Sequence, residues 1–394
     1  MRIAAVLPSA RTAAVRALRD PGSGELLDEA LVLRFDSPAS ATGEDIVEFQ
    51  CHGGRAVVDS ILAALASIPE LRPAEPGEFT RRAFENGRID LTEAEGLADL
   101  IEAETESQRK TAIALAEGGL RKQVAEWQER ILFLSAKVER SIDYDEEDDH
   151  LLPALQDECA GLERDLREWL DRPPVERLKD GVKVVVAGPP NSGKSSLINA
   201  IAGEERAIVT DIPGTTRDHI EVPLSLDGVP LLMTDTAGIR DSSDEVEIIG
   251  IARTAKLIEA ADVLVWLGLP DEIPECPQVI LVHSRADLPG REAVPEGALA
   301  VSALRGQGLA ELLRRIGVLA RSLLPGEGAI ALNQRQRRHL EEAASALSNA
   351  RVSSDIVMVA EDLRLARSAF DRLTGKAGVE DVLDALFSRF CLGK

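Results

Sequence analysis

Apolar and polar residues recur with two different periods along this chain. Between residues 1 and 83, short apolar runs (ALVLRF, IVEFQC) lie among Gly/Pro turns, and one stretch, VVDSILAALASI, has helical spacing. This pattern predicts a small α+β domain. From 84 to 180 the period lengthens to that of helices, in Glu/Ala/Leu-rich segments such as LTEAEGLADLIEAETESQRKTAIALAEGG. The acidic run from Asp143 to His150 interrupts them and reads as a solvated loop. Strands return between 181 and 325, as VKVVVAG, VPLSL, LLMTDTAG, ADVLVWLGL, PQVILVHS and ALAVSA, alternating with helical stretches such as IIGIARTAKLIEA. Such alternation predicts an α/β domain with its chemistry at the strand C-termini. After LLPGEG the helical period resumes and holds from 326 to 394. The predicted fold class is multidomain, α/β plus all-α, with the α/β domain inserted into a helical domain whose two halves meet in space.

Composition narrows the setting. A chain of 394 residues has room for roughly two or three domains. No signal peptide and no apolar run of membrane length is apparent. The four cysteines (Cys51, Cys159, Cys276, Cys391) are widely spaced, which fits a reduced, cytoplasmic protein. Five scattered histidines offer no pair at zinc-ligand spacing. The net charge of −23 opposes unassisted binding to nucleic acid, because that affinity rests on neutralising phosphates. An RNA substrate would be carried mainly by another component.

The chemistry concentrates in GPPNSGKS, residues 188 to 195, which follows an apolar strand and precedes the helix-like SSLINAIAG. Strand, glycine-bounded loop and helix start together make a phosphate cradle: backbone N–H groups hold oxygens, a lysine reaches the terminal phosphates and a hydroxyl binds magnesium. Lys194 and Ser195 take the last two roles, and Asn191, Ser192, Gly193 and Ser196 surround them. Further on, an apolar strand ends in Asp235, Thr236, Ala237 and Gly238, where an aspartate can hold magnesium through water and a glycine N–H can sense the γ-phosphate. Between the two lies a polar loop, Thr210, Asp211, Ile212, Pro213, Gly214, Thr215 and Thr216, which reads as a nucleotide-ordered switch with Thr216 as the second magnesium hydroxyl.

Base recognition falls to two later strand ends. GTPases resemble one another in an N-K-x-D stretch, and the aligned residues here are Ser284, Arg285, Ala286 and Asp287. Asp287 can accept from the guanine ring N–H and amino group, while serine for asparagine and arginine for lysine hold the base less firmly. Ser302, Ala303 and Leu304 open SALRGQG, a loop of the kind whose backbone meets the guanine carbonyl. GTP is therefore expected rather than ATP. Ile239 stands where Ras-like enzymes carry the glutamine that orients water, so either hydrolysis needs another group or the chain is only a slow switch.

Beyond these motifs, TGEDIVEFQCHGG, RPAEPGEFTRRAFENGRIDLTEAEGLADLI, IVTDIPGTTRD, DTAGIRDSSDEVE and the terminal FCLGK resemble the signatures of the MnmE (TrmE) family of tRNA uridine-modifying GTPases, over nearly the whole chain. The resemblance implies four segments: a tetrahydrofolate-binding, dimerising domain at 1–83, a first helical part at 84–180, an inserted Ras-like P-loop GTPase domain at 181–325 and a second helical part at 326–394. It implies work with the flavoprotein MnmG, in a heterotetramer, to place (carboxymethyl)aminomethyl groups on C5 of a wobble uridine. The nucleotide is GTP with Mg²⁺, a folate supplies the one-carbon unit, and FAD enters only through the partner, which also carries most of the tRNA.

Residue by residue, the resemblance implies a K⁺ site from Asn191, Thr210, Ile212 and Thr215. Glu247 matches the glutamate that positions water, and Arg217 and Arg240 match switch arginines acting with Lys194. Glu48, Arg88 and Lys394 match folate contacts. Family members carry an apolar strand and a Gly/Arg-rich loop ahead of the region that here starts MRIAAVLPSARTAAVRAL, so the expectation is an N-terminally truncated first domain that lacks one folate-contacting arginine. A reading from another class is a ribosome-assembly switch that acts by docking to rRNA. Such GTPases usually carry a basic appendage, whereas neither helical flank here has a basic excess.

Overall fold

A computed structural model of the chain describes residues 3–144, 151–204, 207–209, 220–236, 254–326, 328–377, 380–388 and 390. The elements open with β1 (Ala14–Arg19), β2 (Leu26–Phe35), β3 (Ile46–Gln50), α1 (Arg55–Ala66), α2 (Glu78–Glu85), α3 (Leu91–Ile101), α4 (Glu106–Ala116), α5 (Gly119–Tyr144), α6 (Leu151–Leu170) and α7 (Glu176–Lys179). Then come β4 (Val182–Ala187), α8 (Lys194–Ala202), β5 (Ala207–Val209), β6 (Ile220–Leu226), β7 (Val229–Asp235), β8 (Val263–Trp266), β9 (Val279–Ser284) and β10 (Leu299–Val301). The chain continues through α9 (Leu309–Leu323), α10 (Gln334–Val352), α11 (Ile356–Thr374) and α12 (Glu380–Phe387). It divides into two compact units, residues 1–98 with 374–394, and residues 99–373.

In the first unit, β1, β2 and β3 form an antiparallel sheet in that order. Leu18, Ala30 and Val32 are buried in one core with Ile61 and Ala64 of α1. β1 is a strand that the pattern does not announce: AVRALR is largely alanine and arginine, and pairing with β2 rather than propensity makes it extended. α12 meets α2 closely. The ring of Phe387 lies 5.6 Å beneath the Arg81 guanidinium, and Arg81 also pairs with Asp384.

The second unit holds a seven-stranded sheet of order β10-β9-β8-β4-β7-β6-β5, in which β6 runs against its neighbours β7 and β5. The strand-helix alternation predicted from the sequence is present, as is the helical content on either side of it. β4 is central and buried on both faces, which accounts for its near-continuous apolar run. Val184 and Val186 face a core built with Ile198 of α8 and Ile316 of α9, and Val185 and Ala187 face Ile258 and Ala261. β5 has only three residues, too short for a period to reveal.

A second core in this unit draws α5 and α6 together with α10 and α11. Trp127 is its centre: the Trp169 ring meets it edge-on at 5.6 Å and the Phe370 ring stacks at 5.8 Å. Capping boxes start two of the helices. Thr105 and Gln108 satisfy each other's backbone at α4, and Asn333 and Gln336 do so at α10. Gln108 also donates from Nε2 to the Leu178 carbonyl at 3.0 Å, and Lys179 Nζ meets Asp99 Oδ1 at 2.5 Å. These contacts fix α7, the short helix that leads into β4. Cys159 is buried in the helical core, and burial pushes its thiol up to about 11, so it is a packing residue.

Two measurements check this architecture. Phe370→Ala removes the stacked ring from a site with no exposed surface, and unfolding should become easier by about 3–5 kcal/mol with loss of the near-ultraviolet tryptophan signal. His339 is buried, and desolvation holds its pKa below the ordinary 6.5, against the pull of Glu342. The unfolded chain therefore binds that proton more readily than the folded one. The contribution of His339 is complete above about pH 6.5 and is lost as the pH falls toward the depressed folded value. His339→Gln should flatten the decline of the unfolding midpoint between about pH 6.5 and 5; an unchanged slope would assign the acid sensitivity elsewhere.

Candidate nucleotide-binding site

The chain leaves β4 at Ala187 and turns through residues 188–193 before α8 begins. Gly193, at φ 95°, caps α8 in the left-handed region, where a side chain would be strained. Asn191 also has positive φ, 58°, a conformation that asparagine tolerates better than most residues. The resulting loop is concave and opens onto the free N–H groups and positive end of α8, a ready site for anionic oxygens. Lys194 is buried, and its Nζ donates to the Gly188 carbonyl at 3.1 Å and the Pro189 carbonyl at 2.9 Å. Neutral carbonyls are weaker partners for an ammonium than phosphate oxygens, so they can be exchanged for a ligand.

Asp235 ends β7 beside this loop because parallel pairing sets Val186 opposite it. Ser195 Oγ donates to Asp235 Oδ2 at 2.5 Å, and the carboxylate is 2% exposed. An alcohol and a carboxylate side by side are the hard oxygen donors that Mg²⁺ takes, so the residues fit that ion. Thr236 donates to the Val186 carbonyl at 3.0 Å, which locks the ends of β7 and β4 together.

Next to the phosphate loop is a cavity of about 190 Å³, whose lining includes Gly193, Ser196, Ser284, Arg285, Asp287 and Ala303. The structure thus brings together two motifs that are far apart in sequence. The Ser302 hydroxyl beside Asp287 holds its carboxyl below the usual carboxylate range, which keeps it ionised as an acceptor. Ser302 is fully buried and its hydroxyl accepts from the Arg305 N–H at 3.1 Å, so the loop containing Ala303 and Leu304 is pinned from within. Gly308 closes that loop at φ 76°, where a Cβ would stand 2.1 Å from the Ala300 carbonyl oxygen. Ser284 Oγ donates to the Ser192 carbonyl at 2.6 Å, a tie across 92 residues that motif spacing does not reveal. Its only trace in the sequence is a short polar residue where the motif has asparagine.

The switch residues Thr210, Asp211, Ile212, Pro213, Gly214, Thr215, Thr216 and Arg217 lie outside the described residues, as do Ala237, Gly238, Arg240, Glu247, Cys391 and Lys394. In the first unit, Glu48 is exposed on β3, and Arg88, also exposed, follows α2 with its stem close to Gly43. A network nearby was not anticipated. Arg72 and Arg82 both hold Glu78, and Arg82 reaches on to Glu44; the guanidinium of Arg72 foremost draws the Glu78 carboxyl down to about 2. It joins the loop before β3 to α2.

Comparison with known proteins agrees on one family. Residues 91–391 match the model of the MnmE helical domain, and residues 2–88 match that of the GTP-binding protein TrmE N-terminus. The tRNA modification GTPase MnmE of Rhizorhabdus wittichii is 52% identical over 390 residues, covering 98% of this chain and 88% of the relative. Its counterpart in Erythrobacter litoralis is 51% identical over 395 residues, 100% of this chain and 92% of the relative. That of Zymomonas mobilis is 48% identical over 397 residues, 98% and 92%.

The geometry separates the roles of two neighbouring side chains. Lys194→Ala should weaken guanosine triphosphate binding by about 1.5–3 kcal/mol whether or not Mg²⁺ is present. Ser195→Ala should instead lower affinity only in Mg²⁺, bringing it close to the value in a chelator. Titration of a fluorescent nucleotide in both conditions distinguishes the two, and a Ser195→Ala protein that keeps its full Mg²⁺ dependence would remove the hydroxyl from the metal site.

Proposed function

Because the chain belongs to the MnmE family of tRNA modification GTPases, we propose that it hydrolyses GTP at residues 188–195 to drive C5 modification of a wobble uridine. The observation that carries this reading is the Ser195–Asp235 hydrogen bond at the mouth of a phosphate loop whose lysine rests on exchangeable carbonyls. In this reading the α/β segment is an insertion within a helical domain, and the first domain pairs with that of a second copy.

Each side chain then has a task. The loop N–H groups and Lys194 hold the β- and γ-phosphates, and Asp287 accepts from the guanine N–H groups. Ser195 and Thr216 would hold Mg²⁺, with Asp235 reaching it through water, and the ion when bound would neutralise charge on the phosphates. Glu247 orients the attacking water in place of the glutamine that Ile239 replaces. The water oxygen bonds to the γ-phosphorus as the bond to the β,γ-bridging oxygen breaks, giving GDP and inorganic phosphate. Arg217 and Arg240 order the switch segments. Asn191, Thr210, Ile212 and Thr215 provide oxygens for K⁺, which supplies positive charge beside the phosphates where an arginine finger otherwise would.

The modification itself needs groups from elsewhere. Glu48, Arg88 and Lys394 contact a tetrahydrofolate that supplies the one-carbon unit. A flavoprotein similar to MnmG brings FAD and most of the tRNA contact, in a cytoplasmic complex. Among the described residues no helix is long and apolar enough to cross a membrane.

Phosphate release at matched ionic strength tests the hydrolytic part. Turnover should be on the order of tenfold to a hundredfold faster in potassium than in sodium, and Asn191→Ala should erase most of that difference while GTP still binds. Glu247→Ala should suppress turnover in both salts by roughly a hundredfold or more. Equal rates in the two salts would remove the monovalent cation, and unmodified wobble uridines in cells lacking the chain, restored by complementation, would secure the tRNA role.

A further inference from the structure

The residue at the end of β9 faces two demands and has one proton. Ser284 lines the base cavity, is 6% exposed, and gives its hydroxyl hydrogen to the Ser192 carbonyl at 2.6 Å. An asparagine at such a position has two amide hydrogens, so it can tie the phosphate loop with one and reach the base with the other. A serine cannot. Guanine presents two acceptors, N7 and O6, on one edge and its N1–H and amino donors on another. The lone pairs left on Ser284 Oγ offer nothing to N7 or O6.

Two further observations fix the proton where it is. The Ser192 hydroxyl is itself buried without a hydrogen-bond partner among the described residues, so releasing the Ser192 carbonyl would strip a second polar group of the same residue. The backbone on either side of Ser284 also resists adjustment. Ser284 is paired in parallel register with Val301, and Arg285 follows in the left-handed region at φ 55° with its Nε beside Gly193.

We propose that in this chain the side chain at 284 is a positioning residue for the phosphate loop and leaves N7 of the purine unread, so that Asp287, which faces the N1–H and amino donors, is the side chain that identifies the base. The proposal rests on the guanine-nucleotide reading of the site and concerns how that nucleotide is told from others. It also locates the cost of the serine: affinity is lost at the base edge while the loop tie is kept.

The test is calorimetric titration of the full chain, in Mg²⁺, with GDP and with 7-deaza-GDP, in which carbon replaces N7. The two dissociation constants should agree within about twofold. Ser284→Asn should bind GDP about fivefold tighter, the return on one net hydrogen bond, while 7-deaza-GDP gains little, so a ratio appears that the unsubstituted chain lacks. Ser284→Ala should weaken both ligands to the same degree, because it cuts the loop tie and not a base contact. If the unsubstituted chain binds GDP more than about fivefold tighter than 7-deaza-GDP, N7 is read and the proposal fails while the nucleotide reading stands. Absence of GDP binding altogether would overturn both.

Discussion

The parallel pairing of β4 with β7 is the contact on which the rest of the site depends. Val186 stands opposite Asp235 in that register, and only there does the carboxylate at the end of one strand meet the hydroxyl at the start of the helix that follows the other. A one-residue slip would turn Asp235 to the opposite face of the sheet and bury an unpaired charge in the apolar layer. Burial on both faces makes that slip prohibitive, since β4 and β7 are almost wholly buried. Thr236 adds a specific lock, because its hydroxyl bonds the carbonyl of Val186 itself. Hydrophobic layering thus places two polar groups to within hydrogen-bonding distance.

The other end of β4 is held just as firmly. α7 leads into it, and α4 grips α7 through Gln108, whose amide closes the capping box of its own helix with one end and binds the Leu178 carbonyl with the other. Val175, Leu178 and Ala331 join the core of the sheet, while the neighbouring Leu332 joins the core of the helices. The points where the chain enters and leaves the sheet region are therefore part of its packing and not free linkers. The Lys179–Asp99 pair crosses the same place with the carboxylate largely screened from water, where an ion pair is stronger than on an open surface but depends on both partners staying in place.

How much of this was legible depends on the range of the interaction. GPPNSGKS could be read because its chemistry needs contiguous residues, and β4 and β7 because strands buried on both faces are written as apolar runs. The helices around Trp127 were legible as a period, but their pairing was not, since the partners of that ring lie at Trp169 and Phe370. β1 and β5 escaped notice for opposite reasons: one has a composition unlike a strand and the other is too short to show alternation. The tie from Ser284 to Ser192 was invisible because nothing local marks it. Sequence suggested only that a shortened residue at 284 weakens the base pocket; the geometry adds that its single proton is already committed.

The same attention to committed groups bears on how an acidic chain can serve a nucleic acid. Its net charge is −23, and much of its basic complement is engaged at home. Arg72 and Arg82 are bound to Glu78, Arg167 and Arg351 share Glu163, and Arg314 and Arg315 share Glu311. Arg335 and Arg337 donate to the carbonyls that end α11 and α6, an internal use of charge that no ligand can easily displace. A guanidinium already paired with a carboxylate releases few counterions when a phosphate approaches, so such residues add little to the salt-dependent attraction that holds RNA. The charge balance and the internal pairing of these arginines thus both work against electrostatic capture of RNA by these surfaces.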